Sequence, residues 1–254
     1  MTAALPAMRP LRRRMLVAWA VAMVFGVLAF RLAAWTAAHL PRPSGLEELA
    51  YYPSGAYLEP AALGHAETAA DLAWLRAVQY YGEHRKSDNR FDQLYHVFDI
   101  LTTLAPRFES AYVFGAFALA QEGRDFPRAE QLIRKGLDAN PRSGRLAFEA
   151  GFLYFVKPNG RDLPHAAEYF ELASRLPGAP AAANEFAAFA RQNSGGLAVA
   201  YRLWRDIGES SRNGYLRDIA DREMARIREA LETGRADVAR SRLSTPIVIV
   251  RPAS

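Results

Sequence analysis

Apolar side chains recur at helical spacing in three stretches of the chain. Each stretch has an alanine, a bulky residue four positions later, and a small or aliphatic residue three positions after that. This spacing puts the three residues on one face of a helix, where a small residue lets a second helix approach closely. The starting alanines lie 37 and 34 residues apart, a repeat typical of stacked helix-turn-helix units. The stretches are Ala129/Ile133/Gly136, Ala166/Phe170/Ala173 and Ala200/Trp204/Ile207.

Prolines and turn residues divide the surrounding sequence into predicted helix pairs. Pro127 and Pro164 stand where a helix accepts proline, in its first turn. A first pair is predicted to open near Thr68, with Asp71 three residues on as a possible cap, and to end before Pro106. The other predicted helices cover 110–121 and 127–139, 145–156 and 164–175, and 181–192 and 197–207.

The segments that flank the predicted repeats, which span 68–212, have a different character. Residues 35–67 contain a proline-rich linker followed by tyrosines and a Pro-Ser-Gly turn, which predicts an irregular aromatic segment packed on the first helices. Residues 213–240 are rich in acid–arginine pairs, which predicts a capping helix with a solvated outer face. The tail, 241–254, includes the apolar run 246–250 and is predicted to be extended. It fits an edge strand, packing on the aromatic segment, or binding to a partner.

The N-terminus has the pattern of a membrane-targeting segment. Residues 1–14 are basic, with four arginines from Arg9 to Arg14, and the next sixteen residues carry no charge. If Arg31 snorkels towards the headgroups, residues 15–34 form a transmembrane anchor, and the arginine cluster places the N-terminus in the cytoplasm. A cleaved signal peptide, with a small-residue site at 36–38, and a buried core helix are the alternatives.

Charge and cysteine content narrow the classes of function. The net charge is +5, but six basic residues and no acidic residue precede position 43, and from there on 26 basic residues face 27 acidic ones. The folded part therefore lacks the overall basicity of a nucleic-acid-binding domain, and we predict no nucleic-acid partner. The chain has no cysteine, which excludes disulfides, thiolate metal sites and a cysteine nucleophile.

The repeated residues resemble the tetratricopeptide repeat (TPR) family, a resemblance that covers residues 68 to 207. It implies a right-handed α-solenoid of about four TPR-like helix-turn-helix units. The whole chain would then be all-α, apart from the extended C-terminal tail, with one N-terminal transmembrane helix. The matching positions are Gly115, Ala129, Ile133, Gly136 and Pro141 in one unit, Gly151, Tyr154, Ala166, Phe170 and Ala173 in the next, Ala200, Trp204 and Ile207 in a third, and Leu94, Phe98, Leu101 and Pro106 in a degenerate first unit.

The same resemblance implies a concave groove that accepts an extended or helical peptide from another protein. The first helix of each unit lines such a groove. Phe148 and Phe152, four residues apart, are the predicted apolar anchor, although they equally fit a role in the core between the helices. The predicted groove residues are Glu109, Tyr112, Arg145, Phe148, Phe152, Glu185, Phe189 and Gln192.

Sequence motifs for catalysis are missing. The five histidines form no HxxxH or HExxH pair, and no GxSxG, GxxxxGK[ST] or GxGxxG motif occurs. We therefore predict no enzyme, no metal and no cofactor. The predicted function is a scaffold on the extracytoplasmic (periplasmic) side of the inner membrane, which recruits proteins to an envelope machine such as a secretion, pilus or polysaccharide-export assembly. A permanent structural subunit of a membrane complex and an envelope enzyme or its regulator are the alternatives.

Overall fold

The computed structural model describes residues 8–39, 53–241 and 243. Within these ranges all regular secondary structure is α-helical, as the sequence predicted. The linker at 40–52 and residues 244–254 of the predicted extended tail lie outside the described residues. The chain divides into two compact units, Met1–Tyr51 and Tyr52–Ser254.

The first unit contains helix α1, Met8–His39. Its stretch Val17–Trp35 has a mean hydropathy of 2.0. At 1.5 Å per residue its 19 residues are about 28 Å long, close to the hydrocarbon thickness of a bilayer. The helix is therefore long and apolar enough to cross a membrane. It also continues to His39, beyond the predicted anchor of 15–34.

The second unit contains ten helices among the residues described. Helix α2 is a correction, because residues 35–67 were predicted to be irregular. The next helix starts at Ala66 after His65, which makes no side-chain capping bond, so the predicted start and cap at Thr68 are also corrected. The helices are α2 Gly55–Ala61, α3 Ala66–Lys86, α4 Leu94–Leu104, α5 Glu109–Gln121, α6 Phe126–Ala139, α7 Gly144–Phe155, α8 Leu163–Ser174, α9 Ala183–Asn193, α10 Leu197–Ser210 and α11 Gly214–Thr233.

From α3 onwards, each helix packs against the next one in the chain. Helices α4 and α6, and likewise α5 and α7, also contact each other, while α2 packs on α4. The short connections favour this arrangement, since they bring successive helices together as neighbours. Asp125 and Asp162 accept hydrogen bonds from backbone amides at the starts of α6 and α8, where Pro127 and Pro164 occupy the first turn as predicted.

The three repeated stretches form the buried stripe that their spacing predicted, and every one of their residues is buried. Small residues are needed there because the neighbouring helices are close. A Cβ atom added to Gly136 would lie 2.7 Å from Cγ of Tyr112, and one added to Gly151 would lie 2.7 Å from Cδ1 of Phe170. The stripe therefore fixes which faces of the helices meet, and leaves the opposite faces for other contacts.

Candidate protein-binding site

Five partly exposed aromatic side chains lie on α3, α5 and α7 in two contacting groups, and Phe114 and Phe117, one helical turn apart on α5, line the same cleft. Each of them is half-buried, with one part of the ring packed on the helices and another part open to solvent. Ring centroids are 5.2 Å apart between Tyr81 and Phe114, 6.1 Å between Phe117 and Phe152, and 6.5 Å between Phe148 and Phe152. We call this set (Tyr81, Phe114, Phe117, Phe148 and Phe152) the aromatic row.

The composition of α5 explains why its phenylalanines reach the surface. The helix is apolar around its whole circumference, and its small residues Ala111, Gly115 and Ala118 are buried against neighbouring helices. A Cβ on Gly115 would lie 2.6 Å from Cγ of Phe98, so no side chain fits at this position of the packed face. The larger side chains Phe114 and Phe117 therefore occupy another face, where they are only partly covered.

A cleft of about 390 Å³ lies at the α3–α5 end of the aromatic row. Three members of the row line it, together with polar side chains at its edge, among them Arg145 at the start of α7. The edge near α3 is held by an ion pair of 2.9 Å between Arg85 and Glu122, and the Tyr81 hydroxyl donates to Glu122 at 3.3 Å. The lining residues are Tyr81, Ser110, Val113, Phe114, Phe117, Ala118, Gln121, Glu122 and Arg145.

Two half-buried carboxyl groups accompany the α7–α9 end of the row. Burial raises the pKa of Glu149, and the charge of Arg145, one helical turn earlier, opposes this rise. Burial also raises the pKa of Glu185, against a smaller opposing effect of its own backbone amide. The Oε2 atom of Glu185 is buried and accepts no hydrogen bond from the described part of the chain. This end of the surface is thus able to accept a cationic group.

The structure divides the eight predicted groove residues into two sets. Glu109, Arg145, Phe148, Phe152 and Glu185 are exposed or half-buried. Tyr112, Phe189 and Gln192 are buried, with relative exposures of 0%, 3% and 2%.

Placing the last three on an open groove is therefore corrected. The Tyr112 hydroxyl donates to the carbonyl oxygens of Thr102 and Pro106, both at 3.2 Å. Phe189 packs on Phe155 at 5.9 Å. These side chains hold helices together and offer no surface to a partner.

The sequence analysis missed Tyr81, Phe114, Phe117 and Glu149 as surface residues of this site. On α5 the exposed positions 110, 113, 114, 117 and 121 are spaced as one helical face, but the TPR pattern assigned that role to 109 and 112. The missed signal is the apolar pair Phe114 and Phe117 on a helix whose small residues already supply a complete packing face.

Two histidine–carboxylate pairs lie outside the aromatic row. His84 Nδ1 lies 2.5 Å from Asp88 Oδ1, and His165 Nδ1 lies 2.8 Å from Asp162 Oδ1. Each pair is local in sequence and contains a single carboxylate. Among the residues that the structure describes, no group of three or more potential metal ligands occurs.

Comparison with family models, with curated proteins and with solved structures finds no match for this chain.

Proposed function

We propose that this protein is a membrane-anchored scaffold whose helical unit binds other proteins through the aromatic row. In this proposal α3 to α10 are TPR-like units of a right-handed α-solenoid, α11 caps the array, and α1 crosses the inner membrane. The neighbour-to-neighbour packing of the helices and the buried small-residue stripe support the first part. The apolar stretch of α1 supports the second.

The observation that carries the proposal is the partial exposure of five adjoining aromatic rings. Aromatic anchors dominate the energetics of protein interfaces, and removal of one central anchor typically costs about 2 kcal/mol or more. The charged side chains Arg145, Glu149 and Glu185 next to the row add polar contacts that fix the orientation of a bound segment. A protein segment with apolar side chains fits this surface better than a small polar molecule does.

The location follows from the N-terminal charge. The four arginines from Arg9 to Arg14 precede the apolar stretch, so the positive-inside rule puts them in the cytoplasm and the helical unit on the extracytoplasmic side. Because the chain has no cysteine, a single Leu231→Cys substitution on the exposed surface of α11 provides a clean probe. A membrane-impermeant maleimide added to intact spheroplasts should label it. Labelling only after lysis would contradict this topology.

Phe117 is the best position for testing partner binding. Phe148 packs on the buried rings of Phe170 and Phe186, with centroids 5.1 and 5.3 Å away, so its truncation would also weaken the core. Phe117 contacts one neighbouring ring, that of Phe152. Phe126, a half-buried phenylalanine on α6 outside the row, is the matched control.

The experiment is a gentle extraction of tagged full-length protein from its own membranes, with quantitative mass spectrometry of the proteins that co-elute. We expect Phe117→Ala to lower the yield of specific partners by about tenfold or more, in line with the loss of an interface anchor. Phe126→Ala should leave the yield unchanged, and melting temperatures are measured for both variants. Equal yields from Phe117→Ala and the unmodified protein, with the fold intact, would refute the proposed surface.

A further inference from the structure

The backbone after α11 turns back onto α9. Gly234 ends the helix in the left-handed region at φ +69°, which suits a residue without a Cβ. Five residues later Ala239 is buried, and its carbonyl oxygen accepts a hydrogen bond of 2.7 Å from Nε2 of Gln192. This bond holds the returning chain against the C-terminal end of α9.

That contact lies on the same face of α9 as the unpartnered carboxyl group of the candidate site. Gln192 follows Glu185 by seven residues, which is about two helical turns, or roughly 10 Å along one face. Leu243 then packs against the hydrophobic core that includes Phe170, Phe186 and Trp204. Phe148 and Phe152 pack against this same core from α7.

The residues that follow Leu243 have the composition that the aromatic row would bind. Pro246 to Val250 is a run of five apolar residues, and Arg251 follows it. The eight residues that follow Leu243, as far as Arg251, reach at most about 28 Å. Packed helices lie about 8–10 Å apart, and Phe186 of α9 contacts both Phe148 and Phe152 of α7. The near half of the row is therefore within reach of this segment.

The charges at the α7–α9 end of the row also favour the tail segment as its occupant. The α7–α9 end of the row has two half-buried carboxylates, and Glu185 Oε2 has no partner within the described part of the chain. A buried carboxylate without a partner is costly, and an arginine that reaches it would offset this cost. Arg251 directly follows the apolar run and supplies such a group.

We propose that the row binds residues 246–251 of its own chain, with Arg251 at Glu149 and Glu185, and that a partner protein must displace this segment. The inference deepens the proposed function and rests on it. An apolar segment tethered at Leu243 has an effective concentration in the millimolar range. Even weak binding of the segment would then lower partner affinity by about tenfold.

The direct test places a photo-crosslinking residue in the row of the full-length protein in nanodiscs. Replacement of Phe152 by p-benzoylphenylalanine should give a crosslink to the tryptic peptide that begins at Leu243, and fragment-ion mass spectrometry should place the crosslinked residue within 246–251; a crosslink at Leu243 itself would not support the proposal. The same replacement at Phe126 should not. A mixture of ¹⁵N-labelled and unlabelled protein separates a crosslink within one chain from one between two copies. If the Phe152 variant does not fold, Phe148 is the second position.

Crosslinks to a second copy, to lipid alone, or to no peptide at all would overturn the proposal. The functional counterpart is the double variant Ile247→Asn/Ile249→Asn, which should raise partner recovery by up to tenfold. Arg251→Glu should act in the same direction, while Arg240→Glu, at an exposed position outside the segment, should not.

Different results would refute the scaffold function and the binding of the tail to the aromatic row. Partner binding that depends on Phe117 but is unaffected by these tail variants refutes only the intramolecular occupant. A crosslink to the tail in a protein that recovers no partner even as the Ile247→Asn/Ile249→Asn variant refutes only the scaffold function.

Discussion

Replacing Gln192 by leucine should destabilise the C-terminal half of the helical unit. Gln192 is buried, and its side chain makes three hydrogen bonds of 2.7 Å. Its Nε2 donates to Glu223 Oε2 on α11 and to the Ala239 carbonyl, and its Oε1 accepts from the indole of Trp204 on α10. One amide thus joins three helices and the segment that follows them.

Leucine has nearly the same volume but satisfies none of these groups. The indole N–H and the Ala239 carbonyl would each lose a partner in a buried place, at about 1–3 kcal/mol each. Glu223, also buried, would keep Arg226 at 3.7 Å as its one partner among the residues that the structure describes. After the gain in apolar burial is set against these losses, we expect a net loss of about 3–5 kcal/mol. This is a large fraction of the stability of an ordinary domain.

The assay is urea unfolding of the full-length protein in nanodiscs, followed by circular dichroism, with hydrogen exchange of peptides from α10 and α11. Gln121→Leu is the control, since Gln121 is exposed and makes one bond of 3.2 Å to the Val156 carbonyl. It should cost less than about 1 kcal/mol. If Gln192→Leu costs no more than this control and leaves exchange in α10 and α11 unchanged, the network does not have the assigned role.

Three further substitutions, one of them with a matched control, test the fold and its electrostatics by thermal unfolding. Gly151→Ala should lower the free energy of unfolding by about 1–3 kcal/mol, because its Cβ would press on a buried ring. In the control Gly82→Ala the added Cβ would meet no atom within 4 Å, so the free energy of unfolding should rise by about 0.5–1 kcal/mol. Equal effects of the two substitutions would contradict close packing at Gly151. Asp125→Ala should cost about 1 kcal/mol through loss of the cap on α6, and no loss would show that the 3.1 Å bond from the Arg128 amide is unimportant. Because burial raises the pKa of Glu185, the folded protein holds this proton more readily than the unfolded one, and stability falls as pH rises through the raised pKa. Glu185→Gln, made in an Arg251→Gln background so that the proposed tail arginine cannot neutralise the carboxylate, should therefore raise the melting temperature more at pH 7.5 than at pH 5, and the reverse order would refute the assigned burial effect.

The buried positions could be predicted because helix packing requires apolar and small residues at regular helical spacing in the sequence. Ala166, Phe170 and Ala173 repeat the spacing of Ala200, Trp204 and Ile207, and all six are buried. Pro127 and Pro164 also indicated the first turns of α6 and α8, but the caps on these helices, Asp125 and Asp162, were not predicted. Helix α2 could not be predicted, since Gly55–Ala61 is short and includes Pro60, and it is placed by contact with α4.

The open side of the fold was predicted less well, because exposure depends on how far each helix rotates about its axis. On α5 the pattern assigned Tyr112 to the groove, but the space beside Gly136 accepts its ring and buries it. On α9, Gln192 is polar and sequence alone suggested a surface position. Its partners, Glu223 and Ala239, come from residues more than thirty positions further on. Contacts of that range have no local signature in the sequence.

Stability and binding therefore depend on different faces of the same helices, and the proposed variants separate them. Gln192 ties α9 to α10, α11 and the returning chain, so its loss should release the segment that precedes residues 246–251 as well as weaken the fold. Phe117 is half-buried and contacts one ring, that of Phe152, among the described residues, so its loss should act mainly on binding. If the aromatic row is a partner site closed by the protein's own tail, Gln192→Leu should open the site while Phe117→Ala removes it. The two variants would then have opposite effects on partner recovery at temperatures where both remain folded.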